Sequence, residues 1–166
     1  NTSISGGSGG LIISEVVDGP FSGGKPKILE LTNTSSSAIN MNNYVIHKYT
    51  NGGTTPSNRD TLSSFTLPAG ESVVFTNADA AEWASYSLGT PSHIFYSFGA
   101  ADNNGDDVYE VVSDAGAVVD IYGELGVDGT GTAWEFLDSY AFRNSNIAKG
   151  SSTFDVSEWT IAAPNT

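Results

Sequence analysis

Short apolar runs alternate with turn-forming residues along nearly the whole chain. Leu11-Ile12-Ile13-Ser14-Glu15-Val16-Val17 is bounded by Gly10 and by Asp18-Gly19-Pro20, which predicts a first strand. Residues 27–33 follow a Gly/Pro-rich loop and predict a second; residues 44–49, closed by Asn51-Gly52-Gly53, predict a third. Further strands are expected at 61–67, 72–76, 94–98, 108–112 and 118–122, with later ones near 139–143 and 159–162. The apolar pattern places Ile12, Val16, Ile28 and Leu31, or their alternate-face neighbours, in one core. Only residues 79–86 have helical character, with Asp79 as the cap before Ala-Ala-Glu-Trp-Ala, and they make one or two turns. Many short strands and no long helix predict an all-β antiparallel sandwich or barrel.

Length changes this picture little: 166 residues without an internal repeat suit one domain with its own core. Residues 1–10, Asn1-Thr2-Ser3-Ile4-Ser5-Gly6-Gly7-Ser8-Gly9-Gly10, have linker composition and are expected to form a flexible arm before a single domain at 11–166. Six basic against 19 acidic residues give a net charge of −13, a field that repels phosphate and argues against nucleic-acid binding by this domain. Charged residues are only 15% of the chain, while Ser, Thr, Asn and Gly are abundant, so neutral polar groups cover the surface. Such a surface leads us to expect an extracellular protein. The absence of cysteine removes disulfides, zinc-thiolate sites and thiol nucleophiles together. No apolar run is long enough to span a membrane.

Candidate chemistry is sparse. The two histidines, His47 and His93, sit in strand-like contexts, and no nucleophile elbow, zinc-binding helix or phosphate loop accompanies them. No spacing singles out a carboxylate pair for hydrolysis, so the chain is not expected to be an enzyme. The densest set of oxygen ligands is Asp102-Asn103-Asn104-Gly105-Asp106-Asp107. Asp102, Asn104, Asp106 and Asp107 have the hard donors that calcium prefers, although the spacing is not that of an EF-hand. The same residues suit a β-turn in which Asn104-Gly105 supplies positive φ, and this plainer role is the favoured one. Glu15 and Glu30 lie inside apolar strands and require partners, for which Arg143 is the first choice among few cations. Most aromatics are expected in the core, although Phe95, Tyr96 and Phe98 could leave one aromatic face exposed, and the aromatics as a group could offer a platform for sugars.

Several of these pieces, in this order, resemble the lamin-tail domain. They are Ile13-Ser14-Glu15; Lys27-Ile28-Leu29-Glu30-Leu31-Thr32-Asn33; Ile39-Asn40-Met41-Asn42-Asn43-Tyr44; and Leu67-Pro68-Ala69-Gly70-Glu71. Later come Asn104-Gly105-Asp106-Asp107-Val108, Val118-Val119-Asp120-Ile121-Tyr122-Gly123, then Trp134, Arg143 and Glu158-Trp159, so that the likeness spans about residues 11–165. The resemblance implies an immunoglobulin-like antiparallel β-sandwich with no catalytic residues of its own. Its bacterial forms commonly sit in secreted or surface proteins beside nuclease or phosphoesterase domains. The expected function is therefore a non-catalytic extracellular binding or adhesion module for a protein or polysaccharide, or an accessory to a secreted hydrolase. The alternative is a structural subunit of a fibre, surface layer or biofilm matrix, pairing with identical subunits by strand addition through the N-terminal arm.

Overall fold

The computed structural model describes residues 9–89 and 91–164. Residues 1–8 of the expected arm lie outside the described residues. Gly10, at its end, is already tied into the fold. Its N–H donates to Ala148 carbonyl at 3.1 Å, and its carbonyl accepts from Thr34 N–H at 2.9 Å.

Among the described residues, twelve strands and one α-helix follow in chain order: β1 Leu11–Phe21, β2 Lys25–Asn33, β3 Ile39–Asn40, β4 Val45–Tyr49, β5 Asn58–Thr61, β6 Thr66–Leu67, β7 Ser72–Thr76, α1 Ala80–Ser85, β8 Ile94–Phe95, β9 Val108–Val112, β10 Val118–Tyr122, β11 Ser139–Arg143 and β12 Trp159–Ile161. They form a six-stranded sheet in the order β12-β11-β1-β2-β7-β8, a four-stranded sheet β10-β9-β4-β5 and the small pair β3-β6. The two larger sheets contribute to one apolar core, with Ile13, Val16, Leu29, Leu31, Val73 and Phe75 from the first and Ile46, Tyr109, Val111 and Tyr122 from the second. Pairing is antiparallel throughout, as the pattern predicts, except that β8 runs parallel to β7 after the α1 crossover.

The expected strand at 61–67 is not formed as one: only Thr61, the last residue of β5, and Thr66–Leu67, which make β6, are strand, and β5 and β6 belong to different sheets. Asp79 caps α1 as its sequence predicts: its carboxylate accepts from the N–H groups of Ala81 and Glu82 at 2.9 and 2.8 Å.

Strict alternation fails in β1. The pairing with β2 slips between Ile13 and Glu15, leaving Ser14 as a bulge. That extra residue lets Ile13 and Val16, three positions apart, both point into the sandwich core. Ile12 is buried outside that cluster, and Ile28 faces the opposite side of the sheet, where it packs with Val74, Ala78 and Trp83 under α1. Of Ile12, Val16, Ile28 and Leu31, the sandwich core takes Val16 and Leu31, while Ile12 and Ile28 stand outside it.

Candidate functional site

The 102–107 loop is held by two ammonium groups. Lys27 Nζ donates to Asp18 Oδ1 at 2.8 Å and to the Asn103 carbonyl. Lys48 Nζ donates to the Asp102 carbonyl and stands 3.7 Å from Asp107 Oδ2. Gly105 has φ +84°, and a Cβ there would lie 2.4 Å from Leu137 Cα, so the Asn-Gly turn needs its glycine for both conformation and space. Asp106 and Asp107 are buried, and Asp106 Oδ2 accepts from Thr130 Oγ1 at 2.9 Å. Asp102 and Asn104 are exposed, and the Asp102 carboxylate accepts from Asn77 Nδ2 at 3.1 Å. Burial raises the Asp107 carboxyl to about 6 against the pull of Lys48. Among the described residues no group of three or more His, Asp or Glu side chains is placed to hold a metal. A calcium ion here would compete with two ammonium groups that already bond the loop oxygens.

His47 lies half-buried on β4, with Nδ1 3.3 Å from Glu110 Oε2, which also accepts from Tyr49 Oη. His93 packs its ring edge-on against Phe65 at 5.1 Å. The two histidines thus stand in separate surroundings, and each is engaged structurally. Phe95 and Phe98 both pack on Phe75, at 5.2 and 4.7 Å, leaving only Tyr96 of that run exposed.

Arg143 does not partner Glu15 or Glu30. It is buried, and its guanidinium donates to Asp120 Oδ2 at 2.5 Å, to Glu158 Oε2 and to the Ile13 carbonyl at 3.3 Å, while lying 4.4 Å from the Trp159 ring centre. Asp120 in turn accepts from Ile13 N–H at 2.7 Å and Ser151 N–H at 3.0 Å. The bulge at Ser14 turns Ile13 towards this carboxylate on the other sheet. Three separate sequence motifs, Ile-Ser-Glu, Val-Val-Asp and Glu-Trp, thus meet in one buried network that joins the sheets.

Glu15 and Glu30 stand directly opposite each other across β1 and β2. Ser14 Oγ donates to Glu30 Oε1 at 2.6 Å, and Thr32 Oγ1 lies 2.7 Å from both Ser14 Oγ and Ser72 Oγ, forming a hydroxyl relay across three strands. Burial, with the facing Glu30 charge as the smaller cause, raises the Glu15 carboxyl to about 7.

Beside this pair the outer face of the six-stranded sheet is apolar. Val17, Phe21, Ile28, Val74, Leu88 and Tyr140, together with Glu15, line a groove of about 440 Å³ between the sheet and α1. Phe21 is 56% exposed and stacks on Tyr86 at 5.9 Å; Phe142, 41% exposed, stacks on Tyr140 at 6.2 Å. Sequence reasoning missed this surface. Its signal was present in the apolar residues at outward positions of β1, β2 and β11, where a one-sided sheet carries polar side chains.

Two facing sheets around one core, joined by the Arg143 network, define an immunoglobulin-like β-sandwich. The model of the lamin tail domain matches residues 5–126, well over half of the chain, and the chain belongs to that family. Comparison with curated proteins gave no match. Trp134, Arg143 and Glu158-Trp159 lie beyond the matched stretch, although Arg143 and Glu158 complete the network around Asp120 inside it. No helix among the described residues is long and apolar enough to cross a membrane.

Proposed function

We propose that the protein is a non-catalytic extracellular binding or adhesion module that engages a protein or polysaccharide through the outer face of its six-stranded sheet. The observation supporting this reading is the groove itself: Phe21 and Leu88 are exposed on its walls and Phe142 is exposed against its Tyr140, and its volume falls within the roughly 300–1,000 Å³ of ordinary ligand sites. Clustered exposed apolar groups mark interaction surfaces more often than scattered ones do. The low charge density and the abundance of Ser, Thr and Asn support an extracellular setting. The two histidines stand in separate surroundings, His47 beside Glu110 and Tyr49 and His93 against Phe65, which supports a role without turnover.

The alternative of a fibre subunit assembling by strand addition is less well supported. β8 and β12, the edges of the large sheet, have two and three residues and offer a short ladder to an incoming strand. The test is binding of the intact protein to a panel of insoluble polysaccharides and immobilised cell-surface proteins, alongside a Phe21→Ser/Leu88→Ser/Phe142→Ser variant. These side chains are exposed, so the variant is expected to fold and to lose binding. Equal capture of both proteins on every surface would remove the groove from the function.

A further inference from the structure

We propose that the outer sheet face takes a cationic segment of a partner protein, with an Arg or Lys side chain set against Glu15 and Glu30 and an apolar neighbour seated in the adjoining groove. The inference rests on reading this face as a binding surface, and it names the chemistry of the occupant.

The argument begins with charge. Like charges placed directly opposite each other on paired strands destabilise a sheet, yet Glu15 faces Glu30 in the middle of the six-stranded one. The cations that form ion pairs among the described residues are engaged elsewhere: Lys25 with Glu82, Lys27 with Asp18, Lys48 with Asp107, and Arg143 with Asp120 and Glu158. Neither Glu15 nor Glu30 is paired with any of them. Glu30 is nonetheless oriented, because Ser14 Oγ bonds one of its oxygens and is itself held by Thr32. An incoming guanidinium has the planar fork of donors that suits two neighbouring carboxylates.

The surroundings select among occupants. Glu15 is also a wall of the groove, so a cation meeting it is adjacent to Val17, Ile28 and Tyr140, and a peptide carrying a charged and an apolar side chain matches both features. The net charge of −13 steers cations towards the protein and repels acidic glycans and nucleic acids. A neutral glycan supplies hydroxyl donors but brings no positive charge to set between the two carboxyl groups. A second copy of the chain is disfavoured for the same reason, since a two-fold contact on this face sets one acidic pair towards another.

The test uses the intact protein in NMR titrations with three blocked dipeptides, acetyl-Trp-Arg-amide, acetyl-Trp-Gln-amide and acetyl-Trp-Glu-amide. Neutral cello- and chito-oligosaccharides form a parallel arm, and sedimentation monitors self-association. The Arg peptide is expected to shift the signals of residues 15, 17, 28, 30 and 140 and to bind at least about tenfold more tightly than the Gln peptide at low salt, with the ratio falling as salt rises. In Glu15→Gln/Glu30→Gln, whose fold is checked by its amide spectrum, the preference is expected to fall to about one. Groove shifts with equal affinity for the Arg and Gln peptides would overturn the cationic assignment while leaving the binding face intact. Groove shifts with an oligosaccharide and none with the Arg peptide would do the same. Shifts confined to other surfaces, or none with any probe, would overturn it as well, and in that case the variant of the three exposed apolar residues decides whether the broader reading falls too.

Discussion

Arg143 on β11 reaches Asp120 on β10 and so connects the two sheets, donating to the same carboxylate oxygen that accepts the N–H of Ile13 on β1. Removing one member of a buried ionic network leaves the others desolvated and uncompensated, which costs about 3–5 kcal/mol. Arg143→Met is therefore expected to lower stability by about that amount in urea unfolding. Glu158→Gln, at the more exposed end, is expected to cost about 1 kcal/mol. Equal losses from the two substitutions would mean that Asp120 is not the centre of the network.

Stability is expected to fall, not rise, between pH 5 and pH 8. Burial raises Glu15 from 4.5 to about 7 and Asp107 from 3.8 to about 6. A raised carboxyl binds its proton more tightly when folded. Its contribution is full below the unfolded value and is lost as pH climbs through the folded one. Glu15→Gln is expected to leave stability near unchanged at pH 5 and to add about 1–2 kcal/mol at pH 8, after allowance for its partial exposure. Denaturant midpoints at the two pH values check this, and a wild type that gains stability with rising pH contradicts it.

Calcium at the 102–107 loop is tested by melting. Because Lys27 and Lys48 already bond the loop oxygens, millimolar calcium is expected to produce no more stabilisation in the wild type than in Asp106→Asn/Asp107→Asn. A rise confined to the wild type, and absent with magnesium, would establish a specific site, since an ion that binds only the native loop stabilises by mass action.

Self-association is expected to increase as pH approaches 4. The sequence has an isoelectric point near 4.1, and the charge that keeps copies apart vanishes there while Phe21, Leu88 and Phe142 remain exposed. Light scattering between pH 7 and 4 measures it. The variant carrying serine at those three positions is expected to stay dispersed over the same range.

The strands, the capped helix and the family were legible because each rests on local rules: apolar alternation, a carboxylate before a helix, glycine and asparagine at turns. Three things were not. Ser14 reads as an ordinary strand residue, and only the pairing of β1 with β2 reveals the extra position that moves Glu15 opposite Glu30. Arg143 offered itself as a partner for those carboxylates in the absence of competitors, whereas the folded chain gives it Asp120, more than twenty positions away and on the other sheet. The groove failed to register for a related reason. Phe21, Leu88 and Tyr140 come from three distant segments, and an apolar residue in a sequence does not say on which side of a sheet it stands.

The position of β1 also bears on how the domain answers to force. The strand entered from Gly10 lies inside the six-stranded sheet, paired with β11 on one side and β2 on the other, and Ile13 is tied to Asp120 across the sandwich. Tension applied through Gly10 along β1 must shear two ladders of hydrogen bonds together with that cross-tie. The opposite end leaves from β12, an edge strand of three residues on a single neighbour, which can be peeled one bond at a time. Tension carried through the Gly10 side thus meets a firm double ladder, while pulling from the β12 side opens the sheet at a three-residue edge.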